Sequence, residues 1–363
     1  MAESKYGLGS NAHDQIVGSL LGTAIGDAIG LPYEGLSRRR GIRMLGSPDR
    51  HRFLFGRGMV SDDTEQTCFV IQSLIKSGGD VDRFQKSLVG YLKRWLLGIP
   101  AGIGLATLRS IIKLWVGYSP QNSGVFSAGN GPAMRAAILG VSIADPQELQ
   151  QFVRASTRLT HTDPKAEMGA FSVAVAAQIA AQGLMESTDE FRVRLTGSLR
   201  NAYQSEADEL IELVSAAAGS VQRGESTETF ALSMGQSRGV SGYVYRTVPV
   251  ALHAALSFPR DYQSAIQSVI RCGGDTDTTA AITGGIVGAT VGKSGIPQDW
   301  LNNLLEWPRS VSWMEQLGAQ LASADKSVTG KPIGIPVWGI AARNTLFLAT
   351  VLVHGFRRLA PPY

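Results

Sequence analysis

The sequence predicts an all-α fold with one large core. Nearly every segment of the 363-residue chain repeats its apolar residues at a spacing near 3.6, and few stretches show the alternation of a half-buried strand. The composition, 44% hydrophobic and 18% charged, is ample for a core. Two similar acidic motifs lie far apart in the sequence, so the chain must fold back on itself to bring them together. This argues against two independent domains.

The first predicted helix starts at Gln15 and ends at Pro32. Its glycines recur every four residues, and a second segment late in the chain repeats that spacing. Glycine weakens a helix by up to about 1 kcal/mol per residue, so the close approach of another backbone is the natural reason for such a series. We therefore predict that the two helices pack together at the centre of the fold, through Gly18, Gly22, Gly26 and Gly30 on one side and Gly284, Gly288 and Gly292 on the other.

The remaining helices are predicted in order along the chain. Residues 36–58 are rich in Arg, Gly and Pro and are predicted to be a loop. Residues 189–223 predict two helices, and residues 300–321 predict two short ones broken at Pro308. Single helices are predicted for the apolar-periodic segments 62–77, 81–97, 106–116, 166–182, 243–255 and 262–271.

The two ends of the chain are interpreted separately. Residues 1–14 predict a flexible leader without the pattern of a secretion signal. Residues 325–363 predict a Gly/Pro-rich linker at 327–336 and a buried terminal helix. The most apolar run, 345–353, is far shorter than the roughly 20 residues of a membrane span. We expect a cytoplasmic protein that does not bind membranes.

The net charge and the cysteine and histidine content indicate which partners and metals the protein can bind. The net charge is +4, and the densest basic cluster, Arg38-Arg39-Arg40 with Arg43, is short for a nucleic-acid-binding arm. It is either a solvated turn or a basic rim that steers an anionic substrate. Two cysteines and five scattered histidines form no zinc pattern. Any metal would be held by oxygen, which favours Mg²⁺ or Mn²⁺.

Two acidic motifs each precede an apolar helix. In Gly274-Asp275-Thr276-Asp277-Thr278, two carboxylates are crowded together and need a cation or a proton to neutralise them. Ser61-Asp62-Asp63-Thr64-Glu65 repeats this chemistry. The structural alternative is a helix cap in the first motif and an Asp62–Glu65 capping pair in the second. Asp27 and Glu34, near the end of the first helix, are either site residues or a solvent-facing helix end.

Two glycine loops and one histidine complete the candidate residues. The loops are 98–104 and 127–135, and a helix follows each of them. The free N–H groups where the second loop enters its helix suit a phosphate. This loop matches no known nucleotide fingerprint, so it is equally compatible with a plain turn. A lone histidine such as His161 more often serves a structural hydrogen bond than catalysis.

These motifs together resemble the ADP-ribosylglycohydrolase family over about residues 15–320. The family includes dinitrogenase reductase-activating glycohydrolase and the ADP-ribosyl-acceptor hydrolases. Five matches occur in the family's order: Gly26-Asp27-Ala28 with Glu34, Ser61-Asp62-Asp63-Thr64, Gly129-Asn130-Gly131 with Met134-Arg135, Thr160-His161, and Gly274-Asp275-Thr276-Asp277-Thr278.

The resemblance implies a compact single domain over residues 15–324 with a central cleft for two divalent cations, Mg²⁺ or Mn²⁺. It implies catalytic roles for Glu34, Asp63 and Asp277, with Glu34 as a ligand or general acid/base. The implied metal ligands are Ser61, Asp62, Asp63, Asp275, Asp277 and Thr278. The implied substrate-binding residues are Gly102, Ile103, Gly104, Ser127, Gly129, Asn130, Gly131 and His161.

The implied function is hydrolysis of ADP-ribose from a modified acceptor, with protein arginine as the expected acceptor. The enzymatic alternative is a serine linkage or a small ADP-ribose ester, because this chain has Gly102 where arginine-directed members often carry Asp before Ile103-Gly104. The non-enzymatic alternative is a binding protein that sequesters an ADP-ribosyltransferase. No nucleic-acid partner is expected.

Overall fold

The computed structural model describes residues 12–325, 327–359 and 361, and it confirms the all-α fold. Only isolated β-bridges occur between the described residues. The α-helices, which short loops and 3₁₀ turns connect, are α1 (Ala12–Gly30), α2 (Arg38–Leu45), α3 (Asp62–Ser77), α4 (Val81–Leu97), α5 (Leu105–Trp115), α6 (Pro120–Ser123), α7 (Ala137–Ser142), α8 (Pro146–Arg158), α9 (Pro164–Ala181), α10 (Thr188–Tyr203), α11 (Asp208–Gln222), α12 (Thr227–Ser233), α13 (Val244–Ser257), α14 (Tyr262–Ile270), α15 (Thr276–Val291), α16 (Gln298–Asn302), α17 (Val311–Ser323) and α18 (Val337–Arg357).

Helices α1 and α15 pack against each other at the centre of the molecule, as their glycine spacing predicts. A Cβ placed on Gly22 would lie 2.1 Å from the carbonyl oxygen of Gly284, and one on Gly284 would lie 2.2 Å from the carbonyl oxygen of Gly22. Gly26 and Gly30 meet the backbone of α15 in the same way. Only glycine permits backbones to come this close. The contact aligns the end of α1 with the start of α15, where the acidic residues lie.

The other helices surround this pair in one contiguous core. Helices α3, α7 and α17 pack on α1, whereas α9, α13 and α14 pack on α15. The prediction of one domain over residues 15–324 stays a prediction. However, the contact of α1 with both α15 and α17 shows that the two ends of this range share a core.

The prediction of a loop over 36–58 is wrong for its first part. Helix α2 occupies Arg38–Leu45, and its buried residues are Gly41 and Leu45. Arginine is a good helix former, and a short helix can be held by a few buried residues even where the local composition favours a loop. The leader predicted for 1–14 lies outside the described residues up to position 11, and α1 already begins at Ala12.

The terminal helix is present, but the prediction that it is buried is wrong. Two described helices are long and apolar enough to cross a membrane, by length and composition alone: α1 and α18. The apolar window of α1 is completely buried in the protein, whereas only 28% of the apolar window of α18 is buried. The sequence shows that α18 is apolar, but it does not show how much of that apolar surface the rest of the chain covers.

Candidate active site

The start of α3 carries the first acidic motif. Ser61 caps this helix, since its hydroxyl accepts the backbone N–H of Asp63 at 3.2 Å. Asp62 accepts a hydrogen bond from the side-chain amide of Gln66 at 3.0 Å. The carboxylates of Asp62 and Asp63 are therefore not needed to cap the helix.

Glu65 makes no capping pair with Asp62, which removes that alternative. Its buried carboxylate accepts the indole N–H of Trp95 at 2.7 Å and pairs with the buried guanidinium of Arg309 at 2.5 Å. Burial alone would raise the pKa of Glu65. The charges of Arg309 and Arg343 outweigh burial, and the pKa is lowered. Glu65 thus anchors α3 in the core as a charged residue.

Asp27 is buried rather than facing solvent. Its carboxylate accepts the backbone N–H of Ser61 at 2.9 Å, the N–H of Thr64 at 3.2 Å and the hydroxyl of Thr64 at 2.6 Å. Burial raises the pKa of Asp27 to about 7, although these hydrogen bonds oppose the shift. Asp27 therefore ties the end of α1 to the first turn of α3 and fixes the acidic motif in place.

The second acidic motif opens α15, and it is not a helix cap either. Asp275 stands at the N-cap position but makes no capping hydrogen bond. Its carboxylate instead accepts the side-chain amide of Asn130 at 2.6 Å. One turn later, the hydroxyl of Thr278 lies 3.4 Å from the Oδ1 atom of Asp63. This contact joins the two acidic motifs, which the sequence places far apart.

The carboxyl groups of the two joined motifs are buried close together, which disfavours their charged forms. Burial is the main cause that raises the pKa of Asp62 to about 8, and it raises those of Asp63 and Asp277 well above the usual range. Neighbouring carboxylates add to each shift. The Oδ2 atom of Asp63 and the Oδ1 atom of Asp277 are buried and lack a hydrogen-bond partner. Such atoms require a proton or a cation.

The residues present fit a divalent cation. All the polar groups of the two motifs are carboxylate and hydroxyl oxygens, the ligands that Mg²⁺ and Mn²⁺ prefer. The two partnerless oxygens come one from each motif. In the described part of the chain, no three His, Cys, Asp or Glu side chains are placed closely enough to ligate an ion as they stand. Ligation would therefore require side chains of both motifs to turn toward the ion.

Glu34 lies at the open side of this cluster, after the 3₁₀ turn that follows α1. Its side chain is accessible from solvent, yet the surrounding protein desolvates the carboxylate and raises its pKa. The charge of Asp275 adds to this shift, and that of Arg358 opposes it. An accessible carboxyl group with a raised pKa suits a group that exchanges protons with a substrate.

The two predicted glycine loops meet at Thr107 of α5. A Cβ on Gly104 would lie 4.0 Å from the Thr107 hydroxyl, and one on Gly131 would lie 3.7 Å from it. Gly102 has a φ of +82° and open space around it. Asn130 connects the second loop to Asp275, so the structure brings this loop to the second acidic motif.

Part of the second loop is already hydrogen-bonded within the protein. The backbone N–H of Asn130 donates to the carbonyl of Gly242 at 3.0 Å, and that of Gly129 donates to the hydroxyl of Ser127 at 3.3 Å. Binding of a phosphate to this loop stays a prediction, and it depends on the remaining N–H groups. Ile103, next to Gly104 in the first loop, is partly buried against the main core.

His161 lies behind the second loop and is 3% exposed. A Cβ on Gly129 or on Gly131 would lie 3.1 Å from its ring, and its Nδ1 atom is 2.9 Å from the Thr160 hydroxyl. Burial, helped by the charge of Arg135, lowers the pKa of His161 to about 3. The imidazole is therefore neutral at physiological pH and supports the loop.

Replacing His161 with alanine is expected to raise KM on the order of tenfold, because the second loop loses its support and with it part of its ground-state substrate binding. The pH profile of kcat between pH 5 and 8 should stay unchanged, since the wild-type ring does not titrate there. Steady-state kinetics at several pH values would show this. If the variant lost a limb of the profile near neutral pH, His161 would be a proton-transfer group instead.

The supporting roles of Arg135 and Asn130 were not predicted. Arg135 is buried and donates to the side-chain oxygen of Gln66, which in turn donates to Asp62. Arg135 lies in an apolar run of the sequence, and this pattern could have predicted that the arginine is buried. The role of Asn130 as the partner of Asp275 had no such signal, because 145 residues separate the two.

The chain is similar to several known proteins. A family model described as ADP-ribosylglycohydrolase matches residues 9–330. The ADP-ribosyl-[dinitrogen reductase] glycohydrolase of Rhodospirillum rubrum is 27% identical over 82% of this chain and 92% of its own length. The ADP-ribosylhydrolase ARH3 of Gallus gallus is 29% identical over 78% of this chain and 87% of its own. A solved structure titled ADP-ribosylglycohydrolase-related protein complex matches with a TM-score of 0.62 and 25% identity, over 87% of this chain and 99% of its own.

Proposed function

Because the chain belongs to the ADP-ribosylglycohydrolase family, we propose that it is a metal-dependent hydrolase that releases ADP-ribose from a modified acceptor. The bond cleaved is the one at the anomeric carbon of the ribose. One observation carries this proposal: the Thr278–Asp63 contact brings two buried acidic motifs into one cluster, and each motif contributes a carboxylate oxygen without a partner.

The residues that would hold two divalent cations are Ser61, Asp62, Asp63, Asp275, Asp277 and Thr278. When bound, the cations would supply Lewis-acid polarisation of the ribose hydroxyls and a more acidic water. Asp27 and Asn130 position this set, since each holds one of the motifs through hydrogen bonds. The contact between Thr278 and Asp63 joins the two motifs.

Glu34 is the residue that would transfer protons. Its carboxyl group is accessible from the open side, and its raised pKa brings it closer to the working pH than an ordinary glutamate. It can take a proton from the attacking water or give one to the departing acceptor. Asp63 and Asp277 serve as charged groups at the reacting ribose, while the glycine loops at 102–104 and 127–131 bind the pyrophosphate.

The acceptor that we propose is a protein arginine. Glu34 and Asp275 make the open side of the site acidic, which suits a cationic guanidinium group. The protein would act in the cytoplasm on an ADP-ribosylated protein.

A serine-linked or small O-linked ADP-ribose is the second candidate. Two observations favour it. Gly102 has no side chain and open space around it, so it offers no carboxylate to a substrate. The guanidinium of Arg358 lies at the loop of Glu34, 3.3 Å from the carbonyl of Pro32, where it disfavours a second guanidinium.

One assay tests the proposal and separates the candidates. Arginine-, serine- and acetyl-linked ADP-ribose are offered side by side with Mg²⁺, with Mn²⁺ and with chelator. We expect release of ADP-ribose from the arginine conjugate with either metal and its loss with chelator. Release from the O-linked substrates alone would select the second candidate, and undiminished activity in chelator would refute metal dependence.

A sequestering role toward an ADP-ribosyltransferase could coexist with hydrolysis. We propose to test it by co-purification with such a transferase. A complex that survives Asp277→Ala would support a binding role that is independent of catalysis.

A further inference from the structure

Helix α18 has one buried side and one exposed side, and all of it lies beyond the residues that the family model matches. Its inner side is packed on the protein through four buried residues, Gly339, Arg343, Asn344 and Phe347. Its outer side is apolar and exposed. A helix that merely extended the core would be apolar on the inside and polar on the outside, so the outer side calls for an explanation.

The inner side is tied to the segments that carry the site. Arg343 donates to the carbonyl of Val60, next to the first acidic motif, and pairs with the buried Glu306 at 2.8 Å. The side-chain amide of Asn344 donates to the carbonyl of Gly98 at 2.7 Å, and His354 lies 2.8 Å from the carbonyl of Pro32. These contacts fix α18 along its length. In this position it cannot be surrounded by lipid as a membrane span would be.

The outer side is a continuous apolar band, which we call the α18 outer face. Its exposed large residues include Trp338 at 69%, Leu352 at 52%, Val353 at 71% and Phe356 at 69%. Small residues and two further leucines fill the space between them: Ala341, Ala342, Thr345, Leu346, Leu348 and Ala349. None of these side chains is charged.

The size of the α18 outer face matches a subunit interface. Exposed apolar patches of soluble monomers rarely exceed a few hundred Å², and the face runs along five turns of helix. Its exposed area is on the order of several hundred Å², close to the roughly 800 Å² that each partner contributes to a standard interface. A stable dimer typically buries an area of this size, roughly 800 Å², on each partner.

The order of residues on the α18 outer face is self-complementary. Large side chains lie at its two ends, Trp338 and Phe356, whereas its middle is lined by Thr345 and Ala349. An antiparallel pair whose two-fold axis crosses the outer face between Thr345 and Ala349 would place Trp338 opposite Phe356 of the partner subunit. The small residues would meet at the crossing point, where they let two helices approach closely. An uncharged face also meets its own copy without repulsion.

We propose that the α18 outer face is a homodimer interface, in which α18 pairs antiparallel with the same helix of a second copy. The inner side of each helix holds the loops of one active site, and the outer side joins the two subunits. The face does not depend on the reaction proposed above, since none of its residues belongs to the site.

The test measures the oligomeric state of the full chain by sedimentation velocity from 0.1 to 50 µM, as an order-of-magnitude range around typical dimer affinities. We expect a dimer for the wild type. Leu352→Glu would bury a charge without a partner in the interface and should weaken the dimer by at least about 100-fold. Val193→Glu, which places the same charge on the exposed valine of α10, is the matched control and should remain a dimer.

Crosslinking tests the pairing itself. The two natural cysteines, Cys68 and Cys272, are buried, so Thr345→Cys supplies a single accessible thiol near the proposed axis. The two thiols would lie about 10 Å apart in the antiparallel pair, and a short bismaleimide should link the subunits. Val193→Cys should give no crosslinked dimer.

The competing occupant of the α18 outer face is a lipid surface. Flotation with vesicles of phosphatidylcholine and phosphatidylglycerol at 3:1 distinguishes it. A wild-type monomer at 50 µM would overturn the proposal. So would a wild-type monomer that floats with vesicles while Leu352→Glu does not, and that result would assign the face to the bilayer.

Discussion

Replacing Asp277 with asparagine is expected to abolish hydrolysis and, at the same time, to stabilise the metal-free protein. The carboxylate of Asp277 is buried among Glu34, Asp275 and Asp63, and burial together with these charges raises its pKa well above the usual range. Asparagine keeps the shape but removes the charge that a cation requires. We expect a loss of rate on the order of 10³-fold or more and a gain in metal-free stability of roughly 1–2 kcal/mol.

The pH dependence of stability follows from the same shifts. An aspartate whose pKa is raised on folding binds more protons in the folded than in the unfolded state, so stability falls as pH rises above about 4. Asp27 and Asp62, with pKa values raised to about 7 and about 8, extend this loss up to about pH 8. Metal-free wild type should therefore melt at a lower temperature at pH 8 than at pH 5. The Asp277→Asn variant should show a smaller difference.

Thermal unfolding with and without Mn²⁺ measures both effects. Mn²⁺ should raise the Tm of the wild type, because a ligand that binds only the folded state stabilises it, and it should leave the variant nearly unchanged. Asp299→Asn, which removes an exposed aspartate in the first turn of α16, is the control and should behave as wild type. A variant that kept full activity would remove Asp277 from the site.

The second large effect is expected at Gly22, where α1 contacts α15. A Cβ at this position would lie 2.1 Å from the carbonyl oxygen of Gly284, and backbone cannot move aside as a flexible side chain can. Gly22→Ala should therefore force the two helices apart and lower the free energy of unfolding by more than about 3 kcal/mol. Because this contact aligns the two acidic motifs, any folded fraction should also lose activity.

Gly197 provides the matched control. It lies inside α10, and a Cβ there would meet nothing within 4 Å. Gly197→Ala should raise stability by up to about 1 kcal/mol through helix propensity alone. Denaturant unfolding of both variants checks the pair. Wild-type stability in Gly22→Ala would mean that the α1–α15 contact is looser than described.

The central contact was predictable because it depends on a spacing within each helix. Four glycines on α1 recur every four residues, and Gly284 and Gly288 on α15 continue the same spacing to Gly292 at its C-cap. No other role explains so many glycines on one helix face. The acidic motifs were predictable for a similar reason, since the crowding of their carboxylates is visible in a few adjacent residues. Such local patterns need no knowledge of distant partners.

The features that the sequence did not reveal all depend on partners far along the chain. Asp27 could have been a solvent-facing helix end until Ser61 and Thr64 were seen to donate to it. The apolar pattern of α18 predicts a buried helix, and nothing in that pattern shows that the rest of the chain leaves one side uncovered. Helix α2 was missed because tertiary packing overrode a loop-like composition.

Calorimetric titration of Mn²⁺ into chelator-treated protein, with Asp62→Asn, Asp277→Asn and the double variant, measures whether the two acidic motifs bind metal together. In the proposed arrangement they form one metal site that neither motif builds alone. This arrangement predicts that the wild type binds two ions per chain, that either single variant loses binding, and that the double variant is no worse than the singles. Wild-type protein that bound no Mn²⁺, or single variants that each lost one ion independently, would contradict it.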